Sequence, residues 1–175
     1  MAVKSCGMAI LVALVTSAVA HAAPEFAVAV TGQLQGKFKS ETTRKGFEEK
    51  FVGLFFEYEV TSPRDPATGQ ATGKRVHKPI RIKKAWGPAS LQFIAALTKN
   101  ELLTVVMDFF ATDPSGIAVL DHTIKLTNAS VASYKSSAEV ATPTPQTDTI
   151  ELVYQTLEVT DHRGKGAVTD SLFTP

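Results

Sequence analysis

The side chains able to do chemistry are few and poorly spaced for it. The chain holds four histidines, His21, His77, His122 and His162, and a single cysteine, Cys6. His122 follows Asp121 and His162 follows Asp161, which sets carboxylates beside imidazoles. Adjacent strand residues point to opposite faces, so neither pair is expected to form a ready acid–base dyad. No two histidines have H-E-x-x-H spacing, and there is no G-x-S-x-G nucleophile elbow. The phosphate-cradling patterns G-x-x-x-x-G-K-[ST] and G-x-G-x-x-G are missing as well. Asn128-Ala129-Ser130 fits the glycosylation acceptor pattern but falls inside an expected strand. The chain is therefore read as a non-enzyme, with no catalytic residue, no metal ligand and no cofactor.

Its bases do gather. Lys74, Arg75, His77, Lys78, Arg81, Lys83 and Lys84 crowd into one short stretch. Such a cluster suits an anionic partner or a solvated strand edge, where lysines block unwanted pairing. Overall balance argues against nucleic acid: 18 Lys+Arg face 17 Asp+Glu, a formal charge of +1, and nucleic-acid binders show a clear basic excess. A third use is contact with an acidic face on a neighbouring subunit, for which Glu48, Glu49, Glu57 and Glu59 are candidates.

The chain of 175 residues fits one domain. Residues 1–22 read as a secretory signal peptide: Lys4 as the only charge, an apolar run over 8–15, then small residues at Ala18, Ala20 and Ala22. Cleavage is expected before Ala23 or before His21. The apolar run is too short to span a bilayer, which needs about 20 residues. Loss of this segment removes Lys4 and Cys6, leaving 17 bases against 17 acids and no cysteine. The remaining domain, residues 23–175, must be held by a packed core and sheet hydrogen bonds. A secreted or periplasmic location follows from the leader.

The mature part is mostly strand. Phe26, Val28 and Val30 alternate with small residues in a first strand. Residues 37–46 read as a polar connection. Residues 48–60 form a second strand whose alternation slips at Gly53, the mark of a bulge or a close backbone approach. Residues 62–78 form a long polar loop punctuated by Pro63, Pro66, Gly69 and Gly73. Loops beyond about 12–15 residues are uncommon in compact domains unless they do something. A short strand over 79–84 leads to one helix, residues 88–99, with proline at its first position and Asn100 at its end. Leu91, Ile94 and Ala95 mark its apolar stripe, widened by Phe93 and Leu97. Strands are expected at 104–112, 120–134 and 149–160, with a turn at Asp113-Pro114-Ser115-Gly116 and a tail from 164. The fold class is mainly β: a barrel or sandwich of about six to eight strands carrying one helix.

Gly73-Lys74-Arg75-Val76-His77-Lys78-Pro79-Ile80 resembles the G-x-R-x-H-x-P segment of the Hcp family, the tube proteins of bacterial type VI secretion systems. Pro88-Ala89-Ser90-Leu91 through Leu97 is similar to the family's helix, and Thr123-Ile124-Lys125-Leu126-Thr127-Asn128-Ala129 to a later strand. Ile150-Glu151-Leu152-Val153-Tyr154 matches the last. The matches run in family order from about residue 48 to 160. The chain departs from the pattern in its leader, in Trp86-Gly87 where the family carries an acidic residue, and in Val159-Thr160 where it carries Trp-Thr.

The resemblance implies a compact β-barrel of two sheets with one α-helix packed on its side. It also implies a structural and carrier role: hexameric rings stacked into a tube, with sheath, spike and effector proteins as partners. In the family the long loop makes subunit contacts, which assigns Arg64, Asp65, Lys74, Arg75, His77 and Lys78 to assembly. Cytoplasmic-to-extracellular passage through the secretion system would then replace the leader's route. The alternative reading is an exported monomeric β-domain that binds a small ligand or a cell-envelope partner. No stable membrane insertion and no nucleic acid are expected in either case.

Overall fold

The computed structural model describes residues 25–39, 42, 47–139 and 145–172. The expected leader, Cys6 and most of the connection at 37–46 lie outside them. Among the described residues there are eleven strands and one helix. In chain order they are β1 (Glu25–Gly32), β2 (Gly36–Lys37), β3 (Phe51–Glu57), β4 (Val60–Thr61), β5 (Val76–His77) and β6 (Ile80–Ala85). Then come α1 (Pro88–Lys99), β7 (Leu103–Thr112), β8 (Ala118–Ser137), β9 (Thr147–Val153), β10 (Thr156–Asp161) and β11 (Gly166–Ser171).

Nine strands form one antiparallel sheet, and β4 pairs with β5 in a second, two-stranded one. The large sheet runs β8-β7-β1-β3-β6-β9, and β9 pairs back onto β8, which closes a six-stranded barrel. Strands β10 and β11 extend it past β8 as a hairpin. This is the expected barrel with a helix at its side. Closure satisfies backbone groups that an open sheet would leave at its edges.

Alternation explains the core. Val28 and Val30 of β1, Ile80 and Ile82 of β6, Val105 and Met107 of β7, Leu126 of β8, and Ile150 and Leu152 of β9 are all buried. Each such side chain contributes about 1.5–3 kcal/mol by leaving water. Gly53 is both things its slip in alternation suggested. The β3–β6 register shifts between Gly53 and Phe55, and a Cβ at Gly53 would stand 1.9 Å from the Phe26 ring. That ring stacks on Phe109 and meets Phe56 edge-on, so the aromatic cluster occupies the space a side chain would need.

The helix has the expected bounds, with Pro88 at its start and Asn100 left-handed (φ 49°) at its end. Its packing face is only partly the expected one: Phe93 and Leu97 pack on the core, but Leu91 does not. Ala89, Ser90, Phe93 and Ala96 are buried, while Leu91 is 64% exposed. Phe93 packs edge-on against Phe38 and Phe51. Small residues on either side of one large ring let the helix approach the barrel closely, which turns Leu91 outward.

Two other expectations change. The strand expected over 149–160 breaks at Tyr154–Gln155 into β9 and β10. Opposite the break Asn128 takes a positive φ of 50°, and its side chain donates to Gln155 Oε1 at 2.9 Å. The expected tail is a strand, β11, paired with β10 along its length.

Candidate assembly site

The long loop is a braced arm. β4 and β5 form its base, and a bridge between Arg64 and Ala71 carries the pairing outward. The Thr72 N–H donates to Pro63 O at 2.9 Å, and the Asp65 N–H to Gln70 O at 2.9 Å. At the tip the Asp65 carboxylate accepts the N–H groups of Ala67 (2.7 Å) and Thr68 (3.0 Å). Those bonds from Thr68 and Ala67 hold its carboxyl below the usual aspartate value. Arg64 donates to Gly69 O at 3.1 Å, and Gly69 supplies the positive φ that the turn requires.

The base of the arm is clasped to the last strand. Arg75 Nη2 lies 2.6 Å from Asp170 Oδ1, and His77 Nε2 lies 3.3 Å from Asp170 Oδ2. The other imidazole nitrogen meets the Tyr154 hydroxyl at 2.9 Å. The His77 side chain is only 5% exposed. Burial pushes the phenols of Tyr154 and Tyr58 above the ordinary tyrosine value, and the Asp170 charge acts in the same direction on both. The clasp thus joins β5, the β9–β10 corner and β11 through hydrogen-bonded polar groups, as burial of such groups demands.

The six assembly candidates divide between these regions. Arg64 and Asp65 shape the exposed outer half of the arm. Arg75 and His77 make the clasp. Lys74 lines a groove between the arm and β11, with Ser62, Gly73, Ser171 and Leu172. Lys78 pairs with Glu59 at 2.8 Å. Asp170 was not singled out in the sequence, although the turn Gly164-Lys165-Gly166 and the alternation beyond it mark a strand there.

The acidic face proposed for a neighbour's bases is largely occupied at home. Glu57 pairs with Arg81 at 2.8 Å, Glu59 with Lys78, and Glu49 with Lys37. Arg81 also binds Glu151 at 2.9 Å, and these carboxylates, Glu151 foremost, raise its guanidinium above the ordinary arginine value.

The Asp121–His122 pair also departs from expectation. The β7–β8 register shifts between Phe109 and Phe110, which pair with His122 and Leu120. Asp121 is the extra residue of a bulge, so strict alternation fails there. Its carboxylate reaches His122 Nδ1 at 2.9 Å and Arg163 Nε at 2.7 Å. His122 stacks on Phe109 at 4.4 Å. Asp161 and His162 follow other partners: Asp161 accepts the N–H groups of Arg163 and Gly164, and His162 meets Thr123 Oγ1.

Two buried polar groups brace the scaffold. Lys84 and Asp148 are fully buried, with Ser90 between them: Lys84 Nζ donates to Ser90 Oγ at 3.0 Å, and Ser90 Oγ donates to Asp148. Ser136 binds the other carboxylate oxygen at 2.7 Å. The Tyr134 hydroxyl is buried beside this group without a well-formed hydrogen bond, and burial together with the adjacent Asp148 pushes it up to about 12. Glu101 does a similar service at the other end of α1. It accepts the N–H groups of Leu34 (2.6 Å) and Gln35 (2.8 Å) and the Gln35 side chain (2.7 Å).

Among the described residues no cluster of His, Cys, Asp and Glu is arranged to hold a metal ion.

Comparison with known proteins agrees with this architecture. Residues 30–160 match the family model described as type VI secretion system effector, Hcp. The Pseudomonas aeruginosa "Major exported protein" is 35% identical over 118 residues, covering 62% of this chain and 69% of its own length. A crystal structure titled "Crystal structure of Hcp protein" superposes with a TM-score of 0.79 at 25% identity, over 86% of this chain and 99% of its own. The secreted protein Hcp3 from Pseudomonas aeruginosa gives 0.73 at 23% identity, over 87% and 100%. With the barrel, the flanking helix and the ordered motifs all in place, the chain belongs to the Hcp family of type VI secretion system proteins.

Proposed function

We propose that this chain is a non-enzymatic tube subunit that assembles into hexameric rings, stacks them, and carries effectors in the resulting channel. Residues 23–175 form the working domain, and residues 1–22 act as a leader that delivers it outside the cytoplasm. The family match over 30–160 carries the reading. The arm supports it: a closed ring needs one surface to meet a different surface next door, and a projecting segment braced by its own backbone bonds loses little freedom when it docks. Arg64, Asp65, Lys74, Arg75, His77 and Lys78 serve it in two ways. Lys74 and the tip face the neighbour, while Arg75, His77 and Lys78 fix the angle at which the arm leaves the barrel. Concavities lined by charged side chains favour this over a small-ligand carrier, whose pocket would be mostly apolar.

Native mass spectrometry of the expressed protein tests both parts together. A hexamer whose chain begins at Ala23 or His21 is expected. A monomer at high concentration overturns the ring. Deletion of residues 65–72 should leave the circular dichroism of the barrel intact and dissociate the ring; loss of folding instead would make the arm part of the core.

A further inference from the structure

The seating of α1 does not follow its hydrophobic pattern. At about 100° per residue, the large apolar side chains Phe93, Leu97, Ile94 and Leu91 share one arc of the helix. The arc that meets the barrel holds Ala89, Ser90, Phe93 and Ala96, and it is turned by roughly 80° from the first. Burying Leu91, now 64% exposed, in place of Ala89 and Ala96 would take more apolar surface out of water. Close approach explains how the small face fits, not why the larger one is left outside. Ser90 sits at the margin of the buried arc, and its hydroxyl joins two fully buried charges. It accepts from Lys84 Nζ at 3.0 Å and donates to Asp148. It also accepts the Gly87 N–H at 3.0 Å, at the start of α1. Lys84 Nζ stands 3.5 Å from the Asp148 carboxylate and donates to Ala85 O at 2.7 Å. The first turn of α1 has no acid, so Asp148 of β9 supplies the negative charge that a helix N-terminus favours. On the opposite margin Gln92 accepts the Lys39 N–H at 2.7 Å, in reach of water.

We propose that Lys84, Ser90 and Asp148 pin the rotation of α1: they decide which face of the helix meets the barrel, rather than hold the subunit folded. A buried ion pair adds little stability over apolar residues of similar volume, yet it is costly to break. Turning α1 onto its larger apolar arc would carry Ser90 Oγ away from Lys84 and Asp148. Both buried charges would then lose the hydroxyl that joins them, and that penalty falls on the turned helix alone. A polar contact of fixed geometry thus selects one of two seatings that apolar contact leaves close in energy, as one buried polar residue selects register between paired helices. Leu91 stays at the surface as a result, near the 44% exposed Trp86 at the start of the helix. The pin stands independently of the tube-subunit reading.

Methyl NMR of the full protein, labelled at alanine and leucine, reads the buried face directly when a paramagnetic agent is dissolved in the sample. In the parent the Leu91 methyls should relax strongly, and those of Ala89 and Ala96 little. Ser90→Ala cuts the pin, and K84M/S90A/D148L removes it together with its charges. In both variants a loss of relaxation at Leu91 and a gain at Ala89 and Ala96 are expected. The triple variant should melt no lower than the parent, because neither charge of the pair remains buried. The parent's relaxation pattern in either variant overturns the proposal and makes close packing of small side chains the sole cause of the seating. A triple variant that melts below the parent or fails to fold also overturns it, since the network then serves stability. Ring formation enters none of these readouts, so failure of the tube-subunit reading leaves this outcome unaffected.

Discussion

His77 and Asp170 lie 93 positions apart in sequence, yet the His77 imidazole stands 3.3 Å from the Asp170 carboxylate with its other nitrogen on Tyr154. The contact welds the foot of the arm to the last strand. Replacing His77 by alanine removes one partner of the buried Tyr154 hydroxyl, which keeps Tyr58 beside it, and should cost about 0.5–1.5 kcal/mol for the lost bond. Urea unfolding should register it. Hydrogen exchange should show faster amides across residues 60–77 and 166–171, with the barrel strands unchanged; uniform acceleration would mean that the clasp belongs to the global core.

The helix makes a sharper contrast. Leu91→Asp should change stability by no more than about 0.5 kcal/mol, as surface replacements usually do, because Leu91 faces solvent. Phe93→Ala should cost about 3–5 kcal/mol, since its ring fills the space between Phe38 and Phe51. Thermal melts of the two variants compare them directly, and a Leu91→Asp variant that fails to fold would show that the opposite face is the buried one.

Glu101 gives the fold a dependence on acid. Burial alone would raise its carboxyl, but the bonds from Gln35 and Leu34, with Lys99 nearby, outweigh that and hold it below the ordinary value of 4.5. A carboxyl lowered on folding contributes stability above its unfolded value and loses it as the pH falls through the folded one. Glu101→Gln should therefore be less stable than the parent at neutral pH, with the gap narrowing below about pH 4.5. Denaturation curves across that range check the sign; a gap that widens on acidification contradicts it.

Gly53→Ala puts a methyl group against the Phe26 ring, whose nearest atoms would lie 1.9 and 2.0 Å away. Overpacking of this kind costs about 1–3 kcal/mol. Adding Phe26→Leu should recover part of the loss by vacating the ring. Failure of the double variant to improve on Gly53→Ala would place the strain in the backbone of the bulge.

Local signals are legible because their causes are local. The β1 alternation, the turn at Asp113–Gly116, the proline and asparagine at the ends of α1, and the slip at Gly53 all reflect constraints acting within a few residues. The features that local sequence hides depend on distant partners. Leu91 outranks Ala89 and Ala96 in hydrophobicity, but the barrel selects small side chains where the helix must come close. Asp121 and His122 meet because a bulge set by β7 breaks the alternation that their own sequence suggests. Asp170 and Glu101 act on residues 93–95 and 66–67 positions away, and nothing in their own neighbourhoods signals those partners. Of the site, the arm was legible by its length and its bases; its clasp was not.

Strand β8 pairs with β7 along one side and with β10 and then β9 along the other, over 20 residues. A pull along its axis loads these ladders in shear, with many hydrogen bonds sharing the force at once, where peeling would break them one at a time. The hairpin that receives the arm is therefore fixed to the barrel along its mechanically strong direction, and a push on the arm is passed into the closed wall of the subunit before it can unzip the edge.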